Sequence, residues 1–135
     1  MKVATVAEGR RNISSGGPWE ASIGYSRAVA IGDSCWIAGT TDAGPDGRST
    51  HPGDADAQAR AIFEIAARAL REAGFGLDDV VRTRMFVVRL DDVAAVTAVH
   101  GEVFGSIRPA ATLVIVAALM DPTFLVEIEL EARRD

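Results

Sequence analysis

The segment FLVEIELEA, from Phe124 to Ala132, constrains the fold more than any other. In an extended chain, successive side chains point to opposite faces. Phe124, Val126, Ile128 and Leu130 then share one face, and Leu125, Glu127, Glu129 and Glu131 share the other. The first face needs a cover of apolar atoms. The second carries three carboxylates in a row, which repel one another unless water or basic partners screen them. Such a strand belongs in a sheet whose two faces meet different surroundings.

Two amphipathic helices can cover the apolar face. Asp54 is a suitable N-cap, and Asp56 adds negative charge to the first turn. From there Ile62, Ile65, Ala66, Ala69, Leu70 and Ala73 form an apolar stripe at helical spacing, which Gly74 ends. Arg60, Glu64, Arg68, Arg71 and Glu72 take the wet side. A second helix is predicted from Asp92 to Phe104, with Val93, Val96, Val99, Val103 and Phe104 inward and Gly105 closing it.

The remaining apolar runs read as strands. SRAVAI (26–31) and CWIAGTT (35–41) flank Gly32-Asp33-Ser34, a hairpin signal. VVRTRMFVVRL (80–90) is strand-like, and Arg11 to Ser14 suggests a further short strand. RPAATLVIVAAL (108–119) begins at a proline and is rich in β-branched residues, so it too reads as a strand. The order ββ(β)-α-β-α-β-β predicts an α+β domain over residues 1–135, with a mixed sheet of about six strands and two helices on one face. RPAATLVIVAAL is apolar on both faces, so its second face needs a cover as well. Another copy of the chain is the simplest one, which predicts a homo-oligomer with clefts at its interfaces. On the glutamate face, Arg82 and Arg84 have the spacing to form a cross-strand charge ladder; alternatively, one of the glutamates lines a small-molecule cleft.

Composition narrows the function. The net charge of -5 and the scattered basic residues argue against a nucleic-acid surface. Cys35 is the lone cysteine, excluding an intrachain disulfide and a four-cysteine metal site. It reads as a small packed residue beside Trp36. His51 and His100 lie far apart, and His100 reads as structural or surface. No apolar run reaches the roughly 18 residues of a membrane span, and no signal-peptide pattern opens the chain, so a cytoplasmic location is expected.

Several segments, taken in order, resemble the RidA/YjgF family of small trimeric proteins: GYSRAV (24–29), WIAGT (36–40), the long stretch 52–87, HGEVFG (100–105), RPAATLV (108–114) and LVEIELEA (125–132). The resemblance implies a homotrimer whose sheets build a central barrel, with ligand clefts between subunits. It also implies hydrolysis of reactive enamines and imines, such as aminoacrylate, to a keto acid and ammonia, with no metal or organic cofactor. The residues it assigns to the pocket are Tyr25, the pair Ala38 and Gly39, and Glu127 as the group that positions water or shuttles a proton.

One departure stands out. The family's PARS segment supplies an arginine that clamps the substrate carboxylate, and RPAAT places Ala111 there. A guanidinium binds a carboxylate through paired hydrogen bonds. Losing a charged hydrogen bond of about 1.5–3 kcal/mol weakens binding roughly ten- to a hundredfold. Arg108, Arg27 and Arg84 are the candidate replacements. Thr112 brings either a hydroxyl or simple strand propensity, and Tyr25 is either a pocket residue or a half-buried aromatic. Trp19, in the loop SGGPWE, is a candidate rim contact. Two functions remain open: a trimer that binds a small, uncharged or weakly charged metabolite between subunits and hydrolyses it with Glu127 as acid/base and Tyr25 as orienting donor, and a non-catalytic ligand-binding or regulatory trimer.

Overall fold

The computed structural model describes residues 1–135. Its chain order is β1 (Lys2–Ala7), β2 (Arg10–Ser14), β3 (Ala28–Ile31), β4 (Ser34–Thr40), α1 (Ala55–Glu72), β5 (Val80–Val87), α2 (Val93–Phe104), β6 (Ala110–Ile115) and β7 (Val126–Arg133). A single turn of π-helix spans Glu20–Gly24.

All strands pair in one mixed sheet in the order β1-β2-β3-β4-β7-β5-β6. The sheet has seven strands where about six were expected. The additional one is β1, an edge strand exposed along its whole length, whose sequence KVATVA carries no burial pattern to announce it. β5 and β6 run parallel, joined through α2; every other pairing is antiparallel. The hairpin at Gly32-Asp33 forms as the sequence predicts, with Ile31 opposite Ser34.

The helix signals hold in detail. The Asp54 carboxylate accepts from the Ala57 amide at 3.0 Å, capping α1. Gly74, at φ 84°, ends the helix as the Phe75 amide reaches back to the Leu70 carbonyl at 2.8 Å. Ile62, Phe63, Ala66, Ala69 and Leu70 of α1 and Val96, Val99 and Phe104 of α2 are buried in one core with Val126, Ile128, Leu130 and Ala132 of β7. Each large side chain among them contributes about 1.5–3 kcal/mol by leaving water.

Two strand expectations need correction. RPAATLVIVAAL is a strand only from Ala110 to Ile115, and it is an edge strand, exposed except at the half-buried Leu113. Beyond it only Val116 keeps a ladder-like bond, to the Val87 carbonyl at 2.8 Å. Likewise β7 begins at Val126, so Leu125 does not share the glutamate face. It is buried, and its amide bonds the Gln58 side chain at 2.9 Å.

On the face away from the helices, Glu127, Glu129 and Glu131 stand opposite Phe86, Arg84 and Arg82. The Arg84 Nη1 reaches Glu129 at 3.1 Å and Glu131 at 3.0 Å, so the charge ladder forms there. Trp36 and Val114 remain exposed on the same face. No helix is long and apolar enough to cross a membrane.

Candidate functional site

The site begins at an irregularity in the sheet. Between Ile37 and Thr40 the β4–β7 register shifts: Ile37 faces Leu130, yet Thr40 faces Ile128. Ala38 and Gly39 therefore bulge out of the ladder, a device that re-aims side chains beside functional sites. Glu127 lies against the bulge. A Cβ built on Gly39 would fall 2.2 Å from the Glu127 Oε2, so only glycine leaves the carboxyl in place.

A cleft of about 850 Å³ opens at this point, lined by Trp19, Tyr25, Arg27, Ala38, Gly39 and Glu127 among others. Its far wall is the loop Ser15–Gly17 and the π-helical turn. Gly24, at φ 90°, lets the chain leave that turn, and the Tyr25 amide bonds the Glu20 carbonyl at 3.0 Å. The Arg27 carbonyl then accepts from the Ala38 amide at 2.9 Å, tying Tyr25 and Arg27 to the bulge.

Arg27 is buried, and its guanidinium is engaged by the protein. Nη1 donates to the Gly39 carbonyl at 2.7 Å and to the Thr40 hydroxyl at 2.8 Å. Nη2 donates to the Tyr25 hydroxyl at 3.2 Å and lies 3.9 Å from the Glu20 carboxylate. Glu20 is buried too, and accepts from the Ser15 hydroxyl, the Ser15 amide at 3.2 Å and the Gly17 amide at 2.9 Å. Burial alone pushes its carboxyl upward, but these hydrogen bonds, with the Arg27 charge, outweigh that and hold it below the usual carboxylate range.

Glu127 is the opposite case. It makes no hydrogen bond within the protein, and burial raises its carboxyl above the usual range, with Glu129 adding to the shift and Arg27 opposing it. The two carboxyls that feel the Arg27 charge are thus shifted in opposite directions, Glu20 downward and Glu127 upward.

Five of the seven residues singled out from the sequence, Tyr25, Ala38, Gly39, Glu127 and Trp19, line this cleft. Trp19 is half-buried rather than a free rim residue, packing edge-on against Phe124 with centroids 6.1 Å apart. Ala111 and Thr112 do not line the cleft; they lie exposed on β6. Of the candidate arginines, Arg84 is held by Glu129 and Glu131, and Arg108 is exposed ahead of β6 at φ 56°. Of these three only Arg27 lines the cleft; Arg68 and Arg71 of α1, which the sequence reading put on the wet face of the helix, line it as well. Glu20 and Ser15 were not anticipated; their one sequence signal is their place in the loop that carries Trp19.

The other residues weighed from the sequence play structural parts. The His100 ring shares a hydrogen bond of 2.8 Å with the Thr83 hydroxyl and packs against Phe63 and Phe104. Burial pushes the Cys35 thiol up to about 11, which leaves it an unreactive packed group. No three His, Cys, Asp or Glu side chains converge in an arrangement that would ligate a metal ion.

The model of the family described as Endoribonuclease L-PSP matches residues 18–134 of this chain. An uncharacterised protein of Streptomyces coelicolor, SCO2049, is 41% identical over 128 residues, covering 95% of each chain. A RutC family protein of Pyrococcus abyssi is 32% identical over 111 residues, 82% of this chain and 87% of its own. Among solved structures, Rv2704 of Mycobacterium tuberculosis, described as a member of the YjgF/YER057c/UK114 family, superposes with a TM-score of 0.84 at 42% identity. The likeness covers 93% of this chain and 99% of that one.

Proposed function

The chain belongs to the endoribonuclease L-PSP family, the YjgF/RidA group, and from that premise we propose that its cleft binds a small metabolite and hydrolyses an enamine or imine. One observation carries this reading. The Tyr25 hydroxyl has no acceptor in the protein for its proton, and the Glu127 carboxyl has no partner at all, yet both face the same cleft. Two polar groups placed together and left without partners are where a ligand is held.

The chemistry follows from their states. Tyr25 donates to the imine nitrogen or to the oxygen of the carbonyl product. Glu127 takes a proton from a water whose oxygen adds to the carbon of the C=N bond. It passes that proton to the nitrogen, giving a carbinolamine, and then carries the hydroxyl proton to the nitrogen as the C–N bond breaks, releasing ammonia and leaving a carbonyl. A carboxyl raised toward neutral pH suits both steps. No metal or organic cofactor enters this scheme.

The ligand carries no carboxylate at its reacting end. Ala111 stands where relatives of the best-known type have their clamp, and of the three arginines that line the cleft the one beside Tyr25, Arg27, is already engaged by Gly39, Thr40, Tyr25 and Glu20, while Arg68 and Arg71 stand exposed on α1. RNA is not the proposed substrate, because the net charge is -5 and Glu129 and Glu131 flank the site. The exposed Trp36 and Val114 and the bare β6 edge support assembly as a trimer around the open face, which places each cleft at a subunit boundary. The same missing arginine favours a second reading, in which the trimer binds its ligand without turning it over.

The test is ammonia release from neutral imines generated in situ by an amine oxidase, with wild type and Glu127→Gln compared. Hydrolysis is expected to fall at least a hundredfold in the variant. Equal rates would remove the acid–base role, and an inactive wild type that still binds ligand would favour the second reading. Light scattering showing a monomer would remove the subunit-boundary cleft.

A further inference from the structure

The polarity of the cleft is set by a group that never needs to touch the ligand. A tyrosine hydroxyl has one proton and two lone pairs, and left alone it donates or accepts as its surroundings require. A guanidinium has donors only. The 3.2 Å contact between Arg27 Nη2 and the Tyr25 oxygen therefore has a fixed direction: arginine donates and tyrosine accepts. The Arg27 charge also lies 5.4 Å from the Tyr25 ring centroid, which holds the phenol to it from the side as well.

Arg27 is not free to leave this post. Its Nη1 is fixed by the Gly39 carbonyl and the Thr40 hydroxyl, and Thr40 in turn donates to the Ala38 carbonyl at 2.7 Å. Its Nη2 faces Glu20, which Ser15 and Gly17 hold from the other side. A Cβ on Gly17 would fall 2.8 Å from the Glu20 Oε2, so the loop is shaped around that carboxylate as the bulge is shaped around Glu127. The chain Ser15–Glu20–Arg27–Tyr25 runs from the loop to the cleft and leaves one proton over, on the Tyr25 oxygen.

We propose that Arg27, held by Glu20, is a positioning residue that keeps the Tyr25 oxygen as an acceptor on its own side, so that the phenolic proton serves the ligand. The reacting end of the ligand then presents an acceptor, a carbonyl oxygen or an imine nitrogen, and since Arg27 is engaged by Glu20, Gly39 and Thr40 it need bring no charge for that guanidinium. This rests on the cleft reading above and supplies its polarity. It also means that Arg27 itself is no carboxylate clamp: its charge is matched inside the protein by Glu20.

Tyr25 is the only tyrosine in the chain, so its Raman ring doublet, whose intensity ratio reports whether the hydroxyl accepts or donates, can be read without interference. In ligand-free wild type the ratio is expected to be that of an acceptor. Arg27→Gln should abolish this signature. The double variant Glu20→Gln with Arg27→Gln, which removes both charges and leaves neither unpaired, should do the same if the single variant folds poorly. Pyruvamide, a neutral ketone, serves as the probe. At saturation it should move the wild-type ratio toward a hydroxyl that both accepts and donates. Its affinity should fall about tenfold in Tyr25→Phe, the effect of one hydrogen bond, and no further when Arg27→Gln is added. A ligand-free ratio that is unchanged in both Arg27 variants overturns the positioning role. Pyruvamide binding without any change in the tyrosine ratio overturns the donor role and leaves the cleft standing. No pyruvamide binding at all overturns the cleft reading and the acceptor preference together, while the ligand-free spectra still decide the part played by Arg27.

Discussion

Gly39 and Glu127 approach so closely that one methyl group on the glycine would lie 2.2 Å from the Glu127 Oε2. The contact exists because the β4 bulge brings the Gly39 backbone over the start of β7, where the carboxyl turns away from the neighbouring arginine ladder. Gly39→Ala should push the carboxyl out of place. Because the displaced atom is the end of a flexible side chain, the fold should survive. Turnover or ligand affinity is expected to drop at least tenfold with little change in melting temperature. Unaltered function in a folded Gly39→Ala protein would show that the position of Glu127 does not matter.

Glu127 should cost the protein stability. Its carboxyl is raised in the fold, so the neutral form is favoured there. Its contribution to stability is complete below the unfolded value, about pH 4.3, and is lost as pH rises through the folded value. Glu127→Gln removes that loss. The variant should melt above wild type at about pH 7 to 8, with the gap closing toward about pH 4. A variant that melts lower at neutral pH would contradict the burial account of this group.

Gln58 is the buried clasp behind the site. Its side chain donates to the carbonyls of His51 at 3.1 Å and Thr123 at 2.9 Å, and accepts from the Leu125 amide at 2.9 Å. Gln58→Leu would leave the Thr123 carbonyl and the Leu125 amide without partners, each costing about 1–3 kcal/mol, while the His51 carbonyl keeps the Asp54 amide at 3.2 Å. Chemical denaturation should show a loss of about 3 kcal/mol or more. Leu125 leads directly into β7, so the position of Glu127 should suffer with it.

His100 makes stability depend on pH in the opposite direction. Burial lowers its ring below the ordinary value, so the neutral ring is favoured in the fold. The stability it provides is present above about pH 6.5 and is lost as pH falls through the folded value. Melting temperature should decline between about pH 7 and 5, and His100→Gln should flatten that part of the profile. An unchanged slope in the variant would assign the acid sensitivity elsewhere.

The sequence made the layers legible because burial follows period. The stripe from Ile62 to Ala73, the cap at Asp54, and the alternation of Val126, Ile128 and Leu130 against Glu127, Glu129 and Glu131 are local patterns, and each holds in the fold. β1 escaped notice because an exposed edge strand has no apolar rhythm to follow. In the site, Tyr25, Gly39 and Glu127 were readable through a family likeness, whereas the part played by Arg27 was not. Its partners come from a loop before it and a bulge after it, and only folding decides whether a guanidinium is free or engaged. Ala111 was readable as a substitution, but its distance from the cleft of its own chain was not.

The central claim is that this cleft takes a small neutral acceptor in place of a carboxylate. Calorimetric titration with pyruvate and with pyruvamide, which share the ketone and differ in carrying a carboxylate or a neutral amide, tests it most directly. The account predicts that pyruvamide binds at least tenfold more tightly, and that Tyr25→Phe weakens it about tenfold. Pyruvate binding as tightly as its amide, or more tightly, would contradict it and return Arg27 to the role of a clamp.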